Sequence, residues 1–465
     1  MTEQRSIRVP ILTRVEGEGA LDIRLRGDFV EGIQLNIYEP PRFFEALLKG
    51  RPIEDVADIT SRICGICPIA YQMTAVQALE SILGCNIPHP IEQLRRLVYC
   101  AEWIESHVLH IHLLHAPDFF DCHSAIELAN RFPHEVKRGL KLKQIGNRVL
   151  EVLGGRAIHP INIAIGGFYR LPTQAELNSL IPDLKQGLQL AIDAAQWLSS
   201  LPLPDFSTSY NYVSLIHSDH YPIESGKIAI GPNQSTHQVI EVSAYEDHFQ
   251  EIQVPHSTAL QSRRIEPQQA LIHPASPAGP ENVGTEYFVG PLARMHYNQD
   301  RLGPESKRLA ENLRFDSRRC NPYQSILARA IEVVYAFEEG LRILEAIAAK
   351  GLRGCPSQVP YTATRETGDL EAGNLRRGVS ATEAPRGLIF HRYEIDDAGQ
   401  VVFAKIVPPT SQNQARIEAD LRQLLGEIHG ETDPSIALAC ERLVRCYDPC
   451  ISCSTHFLKV NIERT

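Results

Sequence analysis

No run in this 465-residue chain approaches the roughly 18 consecutive apolar residues that a membrane-spanning helix needs. The first residues, Met1 to Ser6, lack the apolar stretch of a secretory signal. No strand–GxGxxG–helix unit is present, so the sequence offers no dinucleotide fingerprint of its own. A basic face is missing as well: 46 Lys and Arg stand interspersed among 56 Asp and Glu, and the formal net charge is −10. That balance argues against a nucleic-acid surface. Eleven cysteines are too few to be a disulfide scaffold for a chain of this length. With no export signal they read as free thiols and metal ligands in a reducing cytoplasm. There is no repeat, no low-complexity tract and no linker to divide domains. What is present is 43% hydrophobic and 22% charged, enough for one sizeable globular core.

Hydrophobic spacing places the elements. Residues 5–40 alternate and carry turn glycines, which predicts a small antiparallel sheet. A short helix over 42–49 closes at Gly50. Ile69, Met73, Val76, Leu79 and Leu83 recur at helical spacing after Cys67, with Pro68 at the first turn and Gly84 as the stop. Residues 91–114 are apolar over much of the circumference, as in a helix buried in a core. Further helices are expected over 135–153, 173–198, 323–349, 414–428 and 434–445. The stretch 202–303 reads as loops with short strands at best, and 386–407 as a hairpin. The fold class is therefore mainly α with peripheral antiparallel β, built on a single large helical core.

Two C-x-x-C pairs stand at opposite ends of the chain, Cys64 with Cys67 and Cys450 with Cys453. Brought together, four thiolates would make a soft-metal site. On the cysteines alone a structural zinc site with four thiolate ligands is the default reading. A cysteine at a helix N-terminus has a lowered pKa, and Cys67 stands just before the predicted helix, so its sulfur would face the positive end of that dipole.

The surroundings of the two pairs are more specific. Arg62-Ile63-Cys64-Gly65-Ile66-Cys67 and Asp448-Pro449-Cys450-Ile451-Ser452-Cys453-Ser454-Thr455-His456 resemble the R-x-C-G-x-C and D-P-C-x-x-C-x-x-H signatures of the large subunit of [NiFe] hydrogenases. The resemblance extends, in family order, to Thr13–Gly17, Phe44–Gly50, Glu383–Gly387 and Val407–Thr410. It implies a catalytic large-subunit domain over residues 1–456, with 457–465 a propeptide that a maturation endopeptidase removes after nickel-insertion proteins have loaded the site.

The resemblance also implies roles. Cys64, Cys67, Cys450 and Cys453 would bind nickel, and Cys67 and Cys453 would bridge to iron carrying CO and cyanide. Glu45, His456 and the carbonyl of Ile406 would hold magnesium or a similar ion, which prefers hard oxygens. Heterolytic cleavage of H2 frees a proton that needs a base. Arginine is a poor one, with a pKa above about 12, so Cys450 is the expected first acceptor. Arg386 would then position substrate as an electrostatic donor, held by Asp118 and Asp448. Glu16 would pass protons outward. Backbone groups at Pro385 and Arg386, with the Thr410 hydroxyl, would bond the cyanides. Electrons would leave to an iron–sulfur small subunit, then through flavin-containing diaphorase subunits to NAD(P).

Two departures narrow the resemblance. Glu18 stands where the family has histidine in R-x-E-G-H, and Tyr71 replaces the common histidine of C-x-x-x-H. Both are similar to the cytosolic bidirectional NAD(P)-linked hydrogenases, sulfhydrogenases included. Histidines 107, 110, 112 and 115 are expected as core or interface residues rather than ligands, and the remaining seven cysteines as buried free thiols. A different class stays open here: the metal-free coupling subunit of respiratory complex I shares this ancestry, but it lacks the four cysteines.

Overall fold

The computed structural model describes residues 4–27, 29–232, 234, 236–265, 284–362 and 375–455. Four long helices form its centre: His89–Leu109, Pro133–Gly154, Gln174–Leu198 and Ser325–Lys350. The first packs on the second and the fourth, and the third closes the ring against both of those. Thr173 starts the third helix with a reciprocal cap to Glu176, satisfying two of its first free amides. Gly187 lets that helix approach Ser325–Lys350 closely, since a Cβ there would run into the Phe337 ring.

The sequence places most of these elements to within a few residues. The 91–114 segment differs. Its α-helix ends at Leu109, and His110–His115 continues as a π-helix, with the Ala116 amide bonded to the Ile111 carbonyl five residues back. Pro117 is the physical reason, because its ring crowds the Leu113 carbonyl that an α-helical register would place beneath it. The wider turn brings the rings of His110 and His115 to 5.0 Å.

Around the bundle lie small antiparallel sheets. Gln4–Val9, Gly19–Arg26 and Phe29–Ile37 form the N-terminal meander that the alternation predicts. The described residues between 202 and 303 hold more regular structure than expected. They hold a three-stranded sheet (Tyr212–Ile216, Lys227–Gly231, Gln238–Ile240), a two-stranded one (Phe249–Gln253, Leu260–Arg264) and the helix Pro291–Asn298. The predicted 386–407 hairpin gains a third strand, Arg376–Ala384. Its turn is two residues long, Pro385 and Arg386, between paired Ala384 and Gly387. This sheet packs on the helix Pro68–Leu83. Arg386 is thereby delivered to the end of the helix that Cys67 begins. Short helices Ile53–Ser61, Ala125–Arg131 and Pro304–Asn312 are not legible in the hydrophobic spacing. Among the described residues no helix is long and apolar enough to cross a membrane. The propeptide expected at 457–465, and His456, lie outside the described residues.

Candidate metal centre

The two cysteine pairs meet. Their four sulfurs are buried and all lie within 4.8 Å of one another. Cys64 Sγ is 3.2 Å from Cys67 and 3.5 Å from Cys450, and Cys450 is 2.7 Å from Cys453. The first loop leaves the helix Ile53–Ser61 and enters Pro68–Leu83. The second follows Asp433–Cys446 through Asp448, whose φ of +51° is unusual for a side chain and marks local strain.

Arg42 ties the two loops together, and the Glu16–Gly17 segment lies against the second. The Arg42 guanidinium donates to the Ile63 carbonyl at 2.7 Å and to the Ser452 carbonyl, one from each loop. The Ile451 amide donates to the Glu16 carbonyl at 2.8 Å, in a parallel bridge of Glu16 with Cys450. Gly17 follows with φ +87°, and a Cβ there would lie 2.8 Å from both Ile451 Cβ and the Ser452 amide. Only glycine allows the N-terminal segment this close to the thiols.

Glu16 turns its carboxylate onto the site. Cys450 Sγ donates to Oε2 at 3.1 Å, the Ser452 amide reaches the same oxygen at 3.1 Å, and the Ser452 hydroxyl reaches Oε1 at 2.5 Å. Arg386 lies on the other side, 3% exposed. Its Nε donates to the Asp448 carbonyl at 2.8 Å, one Nη to Asp448 Oδ1 at 3.2 Å and the other to the Ser106 hydroxyl at 3.3 Å. Burial opposes its charge, but Asp448 and the cysteine sulfurs of the site outweigh burial and hold the guanidinium protonated. The Asp448 carboxyl is itself pushed up by burial, with Arg386 and Arg329 pulling it back.

Among the four buried thiols the surroundings pull Cys64 down and push Cys67 up. Burial raises Cys64, but hydrogen bonds from Cys450, Cys453 and Cys67, with the charge on Arg386, bring it well below the usual thiol range. The Ile66 and Cys67 amides also point at its sulfur, at 3.3 and 3.2 Å. Cys67 is held high: a bond with Cys450 lowers it, but bonds with Cys453 and Cys64, and burial, prevail. Burial likewise raises Cys450 and Cys453. The helix-end expectation for Cys67 fails because Glu102, from the neighbouring helix, takes the first-turn amides of Ile69 and Ala70 at 2.6 and 3.1 Å. A buried carboxyl thus occupies the positive end that a Cys67 thiolate would have used.

The other expected residues divide. Thr410 lies at the site, its hydroxyl accepting from the Cys450 amide at 3.1 Å. Glu45 Oε1 accepts from the Ile406 amide at 2.7 Å, so two of the three expected hard-cation ligands are adjacent. Asp118 is a correction. It holds Arg445 through two bonds of 2.7 and 2.8 Å and also pairs with Arg14, rather than meeting Arg386. The arginine it binds is on the helix preceding Asp448, so it braces the second cysteine loop from behind. The four histidines are buried; His107 and His112 are lowered to about 4 and His115 to about 3, in each case chiefly by burial. Of the remaining cysteines, 100, 122, 440 and 446 are buried, while 85, 320 and 355 are half-buried.

Arg294 does not stand out in the sequence. Fully buried, it pairs with Glu332 twice at 2.7 Å and with Glu383 at 3.0 Å, and donates to the carbonyls of Ala384 and Pro385 at 2.9 Å. It therefore fixes the turn that carries Arg386. Nothing in Gly290–Arg294 except a proline helix start distinguishes it from a surface arginine. Arg42 and Glu102 escape for the same reason, since their partners are remote in sequence.

Four converging sulfurs with no oxygen among them suit a thiophilic late metal and disfavour magnesium or calcium. A family model described as nickel-dependent hydrogenase matches residues 42–138 and 233–456. Sulfhydrogenase 1 subunit alpha of Pyrococcus furiosus is 32% identical over 459 residues, 98% of each chain. Sulfhydrogenase 2 subunit alpha of the same organism is 33% identical over 455 residues, 98% of this chain and all of that one. Among solved structures, an NAD+-reducing [NiFe]-hydrogenase in the H2-reduced state superposes with a TM-score of 0.82 at 24% identity, over 98% of this chain and 100% of that one. At that identity the likeness establishes the fold.

Proposed function

Because the chain belongs to the nickel-dependent hydrogenases as a catalytic large subunit, we propose that it cleaves and forms H2 reversibly at a nickel–iron site held by Cys64, Cys67, Cys450 and Cys453. Cys67 and Cys453 would also hold an iron carrying CO and cyanide, and Glu45, His456 and the Ile406 carbonyl would hold a magnesium-like ion. The chemistry that a bound nickel–iron centre would supply is polarisation of H2 and a site for its electron pair.

The chain's own groups manage the proton. Cys450 receives it, and Glu16, 3.1 Å from that sulfur, conveys it outward. That contact is the observation that carries the reading, because a structural zinc thiolate needs no carboxylate on its sulfur. Arg386 stays charged beside the thiolates and orients the reacting molecule rather than acting as a base. The Thr410 hydroxyl and the backbone at Pro385 and Arg386 orient the diatomic ligands, with Asp448 setting the guanidinium. Asp118 acts at one remove, through Arg445.

Electrons leave to an iron–sulfur small subunit and on through flavin-bearing diaphorase subunits to NAD(P), in the cytoplasm. The sulfhydrogenase relatives and the NAD+-reducing structural neighbour support that destination. Nickel-insertion proteins load the site, and an endopeptidase then releases residues 457–465.

Metal analysis and infrared spectroscopy of the purified protein test the proposal. Nickel and iron together with CO and cyanide bands are expected, and Cys453→Ser should abolish nickel retention. Stoichiometric zinc without diatomic bands would refute it, as would full nickel and H2 uptake in Cys453→Ser.

A further inference from the structure

A cleft of about 1310 Å³ lies among the strands Tyr212–Ile216 and Lys227–Gly231, the end of the helix Pro291–Asn298 and the helix Pro304–Asn312. None of its lining residues belongs to the metal centre, and the proposed chemistry leaves it unused. Small-molecule sites usually enclose about 300–1,000 Å³, so the space suits an extended organic molecule rather than a lone ion.

Its charges favour an anion. In a chain of net charge −10, five cations and three acids line the cleft. Two of the acids are already answered, Asp316 by Arg318 at 2.9 Å and Asp300 by Arg301 at 3.5 Å. Lys227 is taken by Glu241 at 2.5 Å. Lys307 on the helix Pro304–Asn312 and Arg314 just past its end have no acidic partner among the described residues. Against these two stands one lining acid, Glu311.

Arg314 is also held in an unusual conformation. The Phe315 amide bonds to the Ala310 carbonyl and the Arg314 amide to the Glu311 carbonyl, both at 3.0 Å, which closes the helix in a Schellman turn. That turn needs a left-handed residue, and Arg314 has φ +50°. Glycine adopts this conformation without strain, whereas a side chain opposes it. What the arginine adds in exchange is a guanidinium at the cleft. The opposite chemistry is aromatic. The Tyr297 hydroxyl donates to the Gly231 carbonyl at 2.7 Å, which fixes its ring, and the His237 ring lies 5.1 Å from it. Guanidinium and ammonium groups recognise phosphate, and fixed rings offer a planar molecule a surface to stack on.

We propose that this cleft binds a nucleoside phosphate, its phosphates held by Lys307 and Arg314 and its base against Tyr297 and His237. Recognition runs through side chains, so no glycine-rich loop is required.

The test is photolabelling of the intact hydrogenase complex with 8-azido-ADP, followed by peptide mapping of this chain. Mapping keeps the cleft apart from any nucleotide site on a partner subunit. Label is expected in peptides containing Tyr297 or His237, displaced by ADP and far less by adenosine or inorganic phosphate. Arg314→Gly, which relieves the strained turn, should weaken this labelling about tenfold through the loss of one charge-assisted contact, with Tm and nickel content at or above wild type. Should the glycine protein not load nickel, Lys307→Gln, at an exposed helical position, carries the same expectation. No label in those peptides, displacement by inorganic phosphate as effective as by ADP, or wild-type labelling in either variant overturns the proposal. Cross-links from Lys307 to a partner subunit in place of label would make the cleft a protein interface and overturn it as well.

Discussion

Replacing Arg294 by methionine keeps most of the volume and removes a charge that five acceptor atoms share. Glu332 and Glu383 would both lose their cation in a fully buried setting, and the carbonyls of Ala384 and Pro385 would lose their donor. The stacking of the guanidinium over Trp103, 4.4 Å from the ring centroid, would go too. Breaking a buried ion pair from one side costs about 3–5 kcal/mol. The loss should not exceed that range by much, because each acid keeps another donor: Glu332 has the Tyr221 hydroxyl at 2.8 Å, and Glu383 has the Leu215 amide at 2.8 Å. Unfolding entropy of about 2.1 cal/mol/K per residue over 465 residues amounts to about 1 kcal/mol/K. The expected fall in Tm is therefore about 3–5 °C, read by calorimetry or circular dichroism. Adding Glu332→Leu to Arg294→Met should recover part of the loss, since a packed apolar pair is often as stable as the ion pair it replaces. H2 turnover should fall in both proteins, because the turn that sets Arg386 is no longer tied down. A Tm change below about 1 °C, or a double variant that loses the sum of the two single losses, would refute the reasoning.

Glu16→Gln keeps the shape but cannot carry a proton, so exchange of H2 with solvent deuterium should fall by about 100-fold or more. Ortho/para-H2 conversion, which requires cleavage but no proton exit, should persist, and normal solvent exchange would place the exit elsewhere. The intact mass of active, nickel-loaded protein should end at His456, and full activity in a species retaining Thr465 would show that release of the tail is not required.

Sequence is most informative here where chemistry and spacing coincide. The cysteine pairs, Glu16, Arg386, Asp448 and Thr410 all come together, because each belongs to a short motif whose residues act locally. The helix after Cys67 is bounded correctly by Pro68 and Gly84, which restrict the backbone wherever they stand. The failures share a cause. Asp118 is assigned by the family resemblance alone, yet its partner is decided by which arginine the folded chain brings alongside. The acidity of Cys67 follows from its helix only if that helix's amides are free, and Glu102, remote in the chain, takes them. The Pro117-induced π-turn is readable in principle, since proline's clash with the preceding turn is local, but hydrophobic periodicity does not register a change from α to π.

The amino-acid order by itself marked the four cysteines that converge, the helical class and the family, because motif spacing and helix termini depend on residue type and near neighbours. Tertiary structure alone decided which acid holds which arginine and how the Arg386 turn is anchored. Those outcomes turn on burial and on charges a few ångströms apart in space but hundreds of residues apart along the chain. In a low-dielectric interior such interactions dominate ionisation and pairing, and they exist only once the chain has closed around them.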